Sequence, residues 1–259
     1  MPESQDLGNI RDDWDAQSYL KDYYSVDSVA DDEAFMYKFI ADGLRTIGRV
    51  FPAGIEVGCG PVLHHAAQTV PWLQRLDMAD FQEANLAELR KWLSQDPGAH
   101  DWSVFLNAKN GVLEAEGSHR TTLDKREALL RERVKLMPCD LRNPQPLGRP
   151  ATYPFVSAFY CLEWVEPTLA GWQQTMRYVM SMVEPGGWFL VVGVCDTTYC
   201  NIGGRPFPSA AVSTDDVRKS LLEFGMDPSS VKVAHTPGLA PEVSGIKGTF
   251  MAFAQRPAR

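Results

Sequence analysis

The chain has 259 residues, 44% hydrophobic and 22% charged, which is enough for one large α/β domain or two small ones. Its net charge of -8 argues against a nucleic-acid partner, because no basic run offsets the acidic balance. The five cysteines form no CxxC pair, which disfavours a zinc site or a disulfide framework and indicates a reducing cytoplasm. The acidic N-terminus does not resemble a signal peptide, and no apolar stretch approaches about 18 residues, so we expect no membrane association.

Strand-like and helix-like segments alternate along the chain. Residues 31–50 have apolar side chains at helical spacing and acids at their start, as a helix N-terminus prefers. The run AGIEVGCGP predicts a buried strand that enters a tight loop, and VLHHAAQTV predicts the helix after it. Further strands are predicted in WLQRLDMADF, MPCD, PFVSAFYCLEWV and GGWFLVVGVCD. Further helices are predicted in EANLAELRKWLSQ, TLDKREALLRERVKLM, TLAGWQQTMRYVMSMV and STDDVRKSLLEFGM, the last of them capped by Ser213 or Thr214. Two β-like runs, SVKVAHT and GTFMAFAQR, lie near the C-terminus.

This alternation predicts a mostly parallel sheet with helices on both faces. The last two β-like runs have only a loop between them, so we expect a terminal antiparallel pair. The predicted fold class is α/β, a doubly wound sheet with a reversed C-terminal edge. We expect a single domain over residues 1–259, in which residues 1–50 form a helical cap and residues 51–259 form the core with its substrate-pocket insertions.

The sequence EVGCGP, residues 56–61, lies at a predicted strand-to-helix turn. Gly58 and Gly60 allow the backbone to approach a ligand closely, but position 63 is leucine, so the diphosphate fingerprint GxGxxG is not complete. Asp80 ends the second predicted strand, where a carboxylate can accept both hydroxyls of a ribose. Each signal alone is typical of an ordinary βα turn. Together they favour a nucleoside cofactor without a diphosphate, such as S-adenosylmethionine, over NAD.

Several segments resemble one enzyme family: YLKDYY, IEVGCGP, ADFQEANLAELRKWLSQDPGAHDWS, CDLRNPQPLG, VSAFYCLEWVEP, EPGGWFLVVGV and GIKGTFMAFAQR. They look like the small-molecule methyltransferases that include phenylethanolamine N-methyltransferase, nicotinamide N-methyltransferase and thioether or indolethylamine methyltransferases. The resemblance covers about residues 19–256. It implies a Rossmann-like class I methyltransferase fold, a monomer, S-adenosylmethionine as cofactor and S-adenosylhomocysteine as product. The implied reaction is methylation of an amine or ring nitrogen on a small-molecule acceptor.

The resemblance also implies a set of cofactor-binding residues. Tyr19 and Tyr24 match the family's tyrosines that close over the cofactor, which fits the attraction of phenol faces for cations and the need for a dry site. Tyr23 is expected to be packing. Cys59 stands where animal enzymes usually carry serine, and His64 replaces a tyrosine, so both contacts depart from the family pattern. The full predicted set is Tyr19, Tyr24, Gly58, Cys59, Gly60, His64, Asp80, Phe81, Asn85, Asp140, Leu141 and Ala158.

Glu163 matches the glutamate that faces the substrate amine in the phenylethanolamine enzyme. A carboxylate at this place can hold an alkylammonium or take its proton, so Glu163 is the candidate catalytic residue. The alternative role is a capping acid before the helix that starts near Thr168. The predicted substrate-binding residues are Glu163, Trp164, Asp196, Thr197 and Tyr199. Thr197 replaces an acid of the phenylethanolamine enzyme, which argues against a catecholamine-like substrate.

Other functions stay open from the sequence. A carbon or sulfur acceptor is the main rival to nitrogen, and a cofactor-binding protein without catalysis would carry the same nucleoside site. An NAD-dependent enzyme is disfavoured by the missing third glycine. His64 and His65 resemble a metal pair, but adjacent side chains diverge on a helix and no third ligand is evident, so we expect no metal.

Overall fold

A seven-stranded, mostly parallel sheet forms the centre of the computed structural model, which describes residues 7–108, 122–238 and 245–258. The strands along the chain are β1 (Gly54–Val57), β2 (Leu76–Asp80), β3 (Val134–Pro138), β4 (Tyr153–Phe159), β5 (Val183–Val194), β6 (Tyr199–Ile202), β7 (Arg205–Pro208), β8 (Lys232–Pro237) and β9 (Gly248–Gln255). The order in the sheet is β3-β2-β1-β4-β5-β9-β8. Strands β1 to β5 pair in parallel, and β9 pairs antiparallel with both β5 and β8, so the predicted reversed C-terminal pair is confirmed.

Helices cover both faces of this sheet. They are α1 (Ala16–Tyr24), α2 (Asp31–Ile47), α3 (His64–Thr69), α4 (Glu83–Leu93), α5 (Leu123–Arg133), α6 (Leu162–Val165), α7 (Leu169–Ser181) and α8 (Thr214–Glu223), and residues 103–108 are also helical. Leu190 and Val192 of β5 pack on the face covered by α2 to α5, whereas Phe189 and Val191 pack on the face covered by α7 and α8. Because successive strand residues point to opposite faces, a strand segment that is buried on both sides must be apolar, as residues 189–194 of β5 are.

Three local predictions differ from the structure. The residues VKLM were assigned to a helix, but they form β3, where pairing with β2 overrides their helical propensity. The fourth strand ends at Phe159, and LEWV forms the short helix α6 instead of continuing the strand. The hairpin of β6 and β7 was not predicted, although Gly203 and Gly204, with φ of 59° and 76°, carry the usual signal of a tight hairpin turn.

Two other features bear on the sequence expectations. Ser213 is the N-cap of α8 and forms a capping box with Asp216. Of the two residues predicted as the cap, Ser213 and Thr214, the structure thus selects Ser213. All five cysteines are free thiols. Over the described part of the chain, none of the helices has the length and apolar character needed to cross a membrane.

Candidate cofactor and acceptor sites

The glycine loop lies where the strand order of the sheet reverses. Strand β1 pairs with β2 on one side and with β4 on the other, and ligands of doubly wound sheets bind outside the strand ends at such a point. Gly58 and Gly60 both have φ of +60°, a conformation that favours glycine. A Cβ atom on Gly58 would lie 2.6 Å from Sγ of Cys161. Only glycine at this position therefore lets the loop and Cys161 pack together.

Asp80 is held at the end of β2 by three hydrogen bonds. The backbone N–H of Gly60 donates to Oδ2 at 2.7 Å, and the backbone N–H of Gln82 donates to Oδ1 at 2.8 Å. The side-chain amide of Asn85 also donates to Oδ1, at 2.9 Å. Burial raises the pKa of the Asp80 carboxyl, while these hydrogen bonds oppose the rise. Oδ2 has a single partner among the described residues, so it keeps a lone pair for a ligand hydroxyl.

The cofactor cavity is the pocket above this glycine loop and Asp80. Its described lining residues come from the N-terminal segment, the ends of β1, β2, β3 and β4, and the start of α6. They are Ile10, Trp14, Tyr19, Gly58, Cys59, Gly60, Val62, His65, Asp80, Phe81, Gln82, Asn85, Cys139, Leu141, Arg142, Phe159, Tyr160, Cys161, Trp164 and Val165. The wall is therefore largely apolar and aromatic, with one buried acid.

The acceptor cavity is a second pocket, of about 230 Å³, that adjoins the cofactor cavity. The two cavities share five lining residues, which are Ile10, Trp14, Tyr19, Tyr160 and Trp164. The remaining described lining residues of the acceptor cavity are Tyr23, Tyr24, Val26, Ser28, Val29, Ala30, Asp32, Glu33, Phe105, Val194, Cys200, Ile202, Ile246 and Thr249. Because the cavities meet at shared aromatic side chains, molecules bound in the two pockets would lie next to each other.

Residues 6–257 match the sequence profile of the NNMT/PNMT/TEMT family. The chain belongs to this family. It is 33% identical to phenylethanolamine N-methyltransferase of Mus musculus over 227 residues, which cover 82% of this chain and 75% of that protein. It is 28% identical to indolethylamine N-methyltransferase of Oryctolagus cuniculus over 221 residues, which cover 82% of this chain and 81% of that protein. Nicotinamide N-methyltransferase of Homo sapiens is 26% identical over 218 residues, with 81% and 80% covered.

Solved structures show the same fold at low sequence identity. N-methyltransferase NodS from Bradyrhizobium japonicum WM9, in complex with S-adenosylhomocysteine, aligns with a TM-score of 0.54 at 11% identity, covering 93% of this chain and 98% of that chain. Magnesium protoporphyrin IX methyltransferase ChlM from Synechocystis PCC 6803 aligns with a TM-score of 0.55 at 11% identity, covering 95% and 98%. The chain thus has a Rossmann-like class I methyltransferase fold. As a member of the NNMT/PNMT/TEMT family, it is an S-adenosylmethionine-dependent N-methyltransferase of small molecules.

The cofactor cavity fits the cofactor that this family uses. Asp80 is a hydrogen-bond acceptor suited to ribose hydroxyls, and the side chains of Leu141, Cys139 and Cys161 offer an apolar surface for a flat ring. The phenols of Tyr19 and Tyr160 are attractive neighbours for a sulfonium cation. Arg142 is the single Lys or Arg among the described lining residues, so the cavity does not carry the cationic cluster that a diphosphate would favour.

Most of the predicted cofactor-binding residues line the cofactor cavity. The residues that do so are Tyr19, Gly58, Cys59, Gly60, Asp80, Phe81, Asn85 and Leu141. Tyr24 lines the acceptor cavity instead, and its hydroxyl lies 3.3 Å from the hydroxyl of Tyr19. Tyr23 was expected to be packing, but it also lines the acceptor cavity, and its hydroxyl donates to the backbone carbonyl of Asn201 at 2.8 Å.

Three residues of the predicted cofactor-binding set are not among the described residues that line the cofactor cavity. His64 turns away from the cofactor cavity and stacks on Trp102 with ring centroids 5.3 Å apart, whereas His65 lines the cavity. Ala158 is fully buried inside β4. Asp140 accepts a hydrogen bond from the backbone N–H of Arg142 at 3.0 Å, which closes a turn, while its neighbours on both sides line the cavity.

Glu163, the residue matched to the family's amine-facing glutamate, lines neither cavity. Its side chain is fully buried in α6, and Oε1 accepts a hydrogen bond from the backbone N–H of Val194 at 2.7 Å. Burial raises the pKa of the Glu163 carboxyl to about 7. The carboxylate of Glu163 therefore lies behind the wall of the acceptor cavity in this structure, and its contact with an acceptor stays a prediction.

Of the other predicted substrate-binding residues, only Trp164 lines the cavities, and it lines both. Thr197 is buried, where its hydroxyl donates to the carbonyl of Cys195 at 2.8 Å and accepts from the backbone N–H of Lys247 at 3.0 Å. Asp196 is exposed with φ of 51°. Tyr199 begins β6, outside both cavities. These three residues lie between the end of β5 and the start of β6 and are not among the described lining residues of either cavity, so their contact with an acceptor stays a prediction.

Sequence patterns gave no signal for several residues that line the cavities. Tyr160 has φ of 48°, an unusual conformation for a non-glycine residue, and it lies at the boundary between the two cavities. Trp14 and Ile10 precede the helix in which the tyrosine cluster was noticed. Asp32 and Glu33 had been interpreted as ordinary acids at a helix start, but both line the acceptor cavity.

Proposed function

We propose that the chain methylates the nitrogen of a small, largely apolar amine that binds in the acceptor cavity. The observation that carries this proposal is the junction of the two cavities at Tyr19, Tyr160 and Trp164. An acceptor packed against these rings would lie beside a cofactor bound in the adjoining cavity. Holding the two reactants in line is the main requirement for displacement at a methyl carbon.

The residues of the cofactor cavity would hold S-adenosylmethionine, which supplies an electrophilic methyl group on a sulfonium. Asp80, supported by Asn85, would bind the ribose hydroxyls, and the Gly58–Gly60 loop would allow close backbone approach. Tyr19 would contact the sulfonium region and exclude water from it.

The acceptor would be held mainly through apolar and aromatic contacts. Trp164 would pack on its body, and Tyr24, whose hydroxyl lies 3.3 Å from that of Tyr19, would close the cavity from the N-terminal side. Glu163 would support the wall from behind through its hydrogen bond to the backbone of Val194.

The proposal also includes a monomeric state, a cytoplasmic location and the expectation of no nucleic-acid partner. Both cavities are built within one chain, which supports a single-domain monomer over residues 1–259. The free thiols support a reducing, cytoplasmic setting. The net charge of -8 supports the expectation of no nucleic-acid partner.

A product assay tests the nitrogen acceptor. The protein is incubated with S-adenosylmethionine and matched acceptors that share one aryl body and carry an amine, a thiol or an activated carbon. Mass spectrometry should find the methylated amine together with S-adenosylhomocysteine. Methylation of the thiol or carbon acceptor alone would replace this proposal with the rival chemistry. Tight cofactor binding without any methylated product would indicate a binding protein without catalysis.

A further inference from the structure

Tyr160 is attached directly to the central sheet at the place where the two cavities meet. It follows the last residue of β4, and its backbone N–H donates to the carbonyl of Val192 in β5 at 2.8 Å. The other described residues that line both cavities come from the N-terminal segment and from α6; they are Ile10, Trp14, Tyr19 and Trp164. The position of Tyr160 is therefore fixed by the sheet itself.

The phenol end of Tyr160 is held as well as its backbone. Its hydroxyl donates to Sδ of Met36 in α2 at 3.7 Å, and the phenol also has a side-chain hydrogen bond with Thr249 in β9. The centroid of its ring lies 5.8 Å from that of His65, which lines the cofactor cavity. The ring cannot leave the junction of the cavities without losing these contacts.

The backbone of Tyr160 has a conformation that tyrosine rarely adopts. Its φ is 48°, in the left-handed region that favours glycine. Such strain in a non-glycine residue persists only where surrounding contacts hold it, and it is concentrated at functional sites. Glycine at this position would remove the strain. That the chain carries tyrosine here indicates a use for the ring.

Transfer of a methyl group needs close contact between the reactants and little free space. The acceptor nitrogen attacks the methyl carbon while the bond from that carbon to sulfur breaks, so the three atoms must lie in line across the junction. A fixed ring beside this line limits the room for the group on the sulfur, because packed protein interiors resist added volume. Burial raises the pKa of the Tyr160 phenol well above its ordinary value, so the ring stays neutral beside a sulfonium.

We propose that Tyr160 is a specificity-determining residue, whose ring restricts the donor group on the cofactor sulfur to methyl and keeps the acceptor in contact with it. This inference rests on the proposed function, because it concerns the junction of the same two cavities. The ring excludes larger alkyl groups on the sulfur. It also fills space that water or a misplaced acceptor would otherwise occupy.

The experiment measures binding of cofactor analogues that differ only in the alkyl group on the sulfur. Calorimetry compares S-adenosylmethionine with its S-ethyl and S-butyl counterparts, and all three carry the same sulfonium charge. The parent protein should bind the methyl compound about tenfold or more tightly than the butyl compound, with the ethyl compound between them. The result does not depend on the identity of the acceptor, because no acceptor is present.

Substitution of Tyr160 then assigns this preference to the ring. Tyr160→Gly removes the ring and suits the left-handed backbone, so it should bind the methyl and butyl compounds within about threefold of each other. Tyr160→Phe keeps the ring and should retain the parent preference. The matched control is Phe81→Ala, because Phe81 lines the cofactor cavity but not the acceptor cavity. This control should weaken binding of all three compounds alike and retain the preference for methyl.

A stability measurement separates the ring from the backbone. Tyr160→Ala lacks the ring but keeps a side chain at a φ of 48°, so it should unfold at a lower urea concentration than Tyr160→Gly. Both variants should lose the preference for methyl to the same extent. A larger loss in Tyr160→Ala would attribute the effect to backbone distortion and overturn the proposal. Retained S-adenosylhomocysteine affinity identifies a folded variant, and Tyr160→Asn carries the test if Tyr160→Gly does not fold, because asparagine tolerates this conformation.

The outcomes distinguish this inference from the proposed function. Equal binding of the three compounds by the parent protein, or a preference that persists in folded Tyr160→Gly, overturns the role of Tyr160. Loss of the preference in Phe81→Ala as well also overturns it. A preference that depends on Tyr160, together with methylation of the thiol or carbon acceptor alone, would leave this inference standing and refute the nitrogen acceptor. Failure of the parent to bind S-adenosylmethionine and S-adenosylhomocysteine would refute the proposed cofactor site itself.

Discussion

The indole nitrogen of Trp14 donates a 2.7 Å hydrogen bond to the side-chain oxygen of Asn85. Asn85 in turn donates its amide to Asp80 at 2.9 Å. A second link is made by Gln82, whose side-chain amide donates to the backbone carbonyls of Ile10 and Arg11. The N-terminal segment is therefore bonded directly to the residues that support the candidate ribose-binding acid. Closure of this segment and binding of the cofactor are expected to stabilise each other.

Trp14→Phe should loosen this connection. The variant keeps an aromatic ring but removes the donor to Asn85, so S-adenosylhomocysteine should bind about fivefold more weakly, corresponding to about 1 kcal/mol. Hydrogen exchange over residues 7–24 should slow less on ligand addition than in the parent. Tyr23→Phe is the control, because it removes a bond of similar length from the same segment to the carbonyl of Asn201. Equal effects of both variants on ligand affinity would contradict a specific role for Trp14.

Asp80→Asn should weaken cofactor binding by about tenfold or more. The amide removes the negative charge and places a donor where ribose hydroxyls and the N–H groups of Gly60 and Gln82 need an acceptor. Asp77→Asn provides the comparison, since Asp77 is a buried acid of the same strand that accepts from the Tyr153 hydroxyl at 2.9 Å and lines neither cavity. Calorimetry with S-adenosylhomocysteine measures both. An Asp80→Asn variant that binds like the parent would remove Asp80 from the site.

The two loop glycines form a natural matched pair. Both have φ of +60°, so alanine at either position is expected to cost about 1–2 kcal/mol of stability from backbone strain. At Gly60 the nearest atom to an added Cβ is 3.8 Å away, but at Gly58 it is Sγ of Cys161 at 2.6 Å. Gly58→Ala should therefore be less stable than Gly60→Ala by at least about 1 kcal/mol in urea unfolding. Equal losses would show that Cys161 moves aside without cost.

Glu163→Gln should change how stability depends on pH. Burial raises the pKa of Glu163 in the folded protein from the ordinary 4.5 to about 7. The folded state then binds more protons than the unfolded state between these values, so the free energy of unfolding falls as pH rises through this window. Above pH 7 the free energy of unfolding is lower by about 3 kcal/mol than it is below the ordinary pKa of glutamate.

Glutamine does not titrate, so Glu163→Gln should not share this loss. Urea unfolding at about pH 5 and about pH 8 measures the free energy of unfolding of both proteins. The contributions of the other titrating groups are the same in both proteins, so they cancel in the difference between variant and parent. The variant should be close to the parent at the lower pH and more stable than the parent at the higher pH. A stability difference that is the same at both pH values would mean that Glu163 does not titrate in this window.

The sequence by itself determined the features that depend on local periodicity and turn chemistry. The alternation of apolar runs predicted the doubly wound sheet, and the glycines at 58 and 60 marked the loop at the end of β1. Asp80 could be assigned to the end of β2 because the short strand-like run WLQRLDMADF ends in an acid just before the helical pattern of α4. Parallel strands bring their carboxyl ends to one edge, so these residues had to lie near each other.

Tertiary structure alone decided which side chains face the cavities. Adjacent side chains on a helix point about 100° apart, so the orientation of α3 about its axis decides which histidine faces the cofactor cavity. In the structure His65 faces this cavity and His64 faces Trp102. The short helix α6 turns Glu163 into the interior, and the packing of α2 brings Glu33 into the acceptor cavity. These orientations depend on contacts between segments far apart in the chain, and no local pattern carries that information.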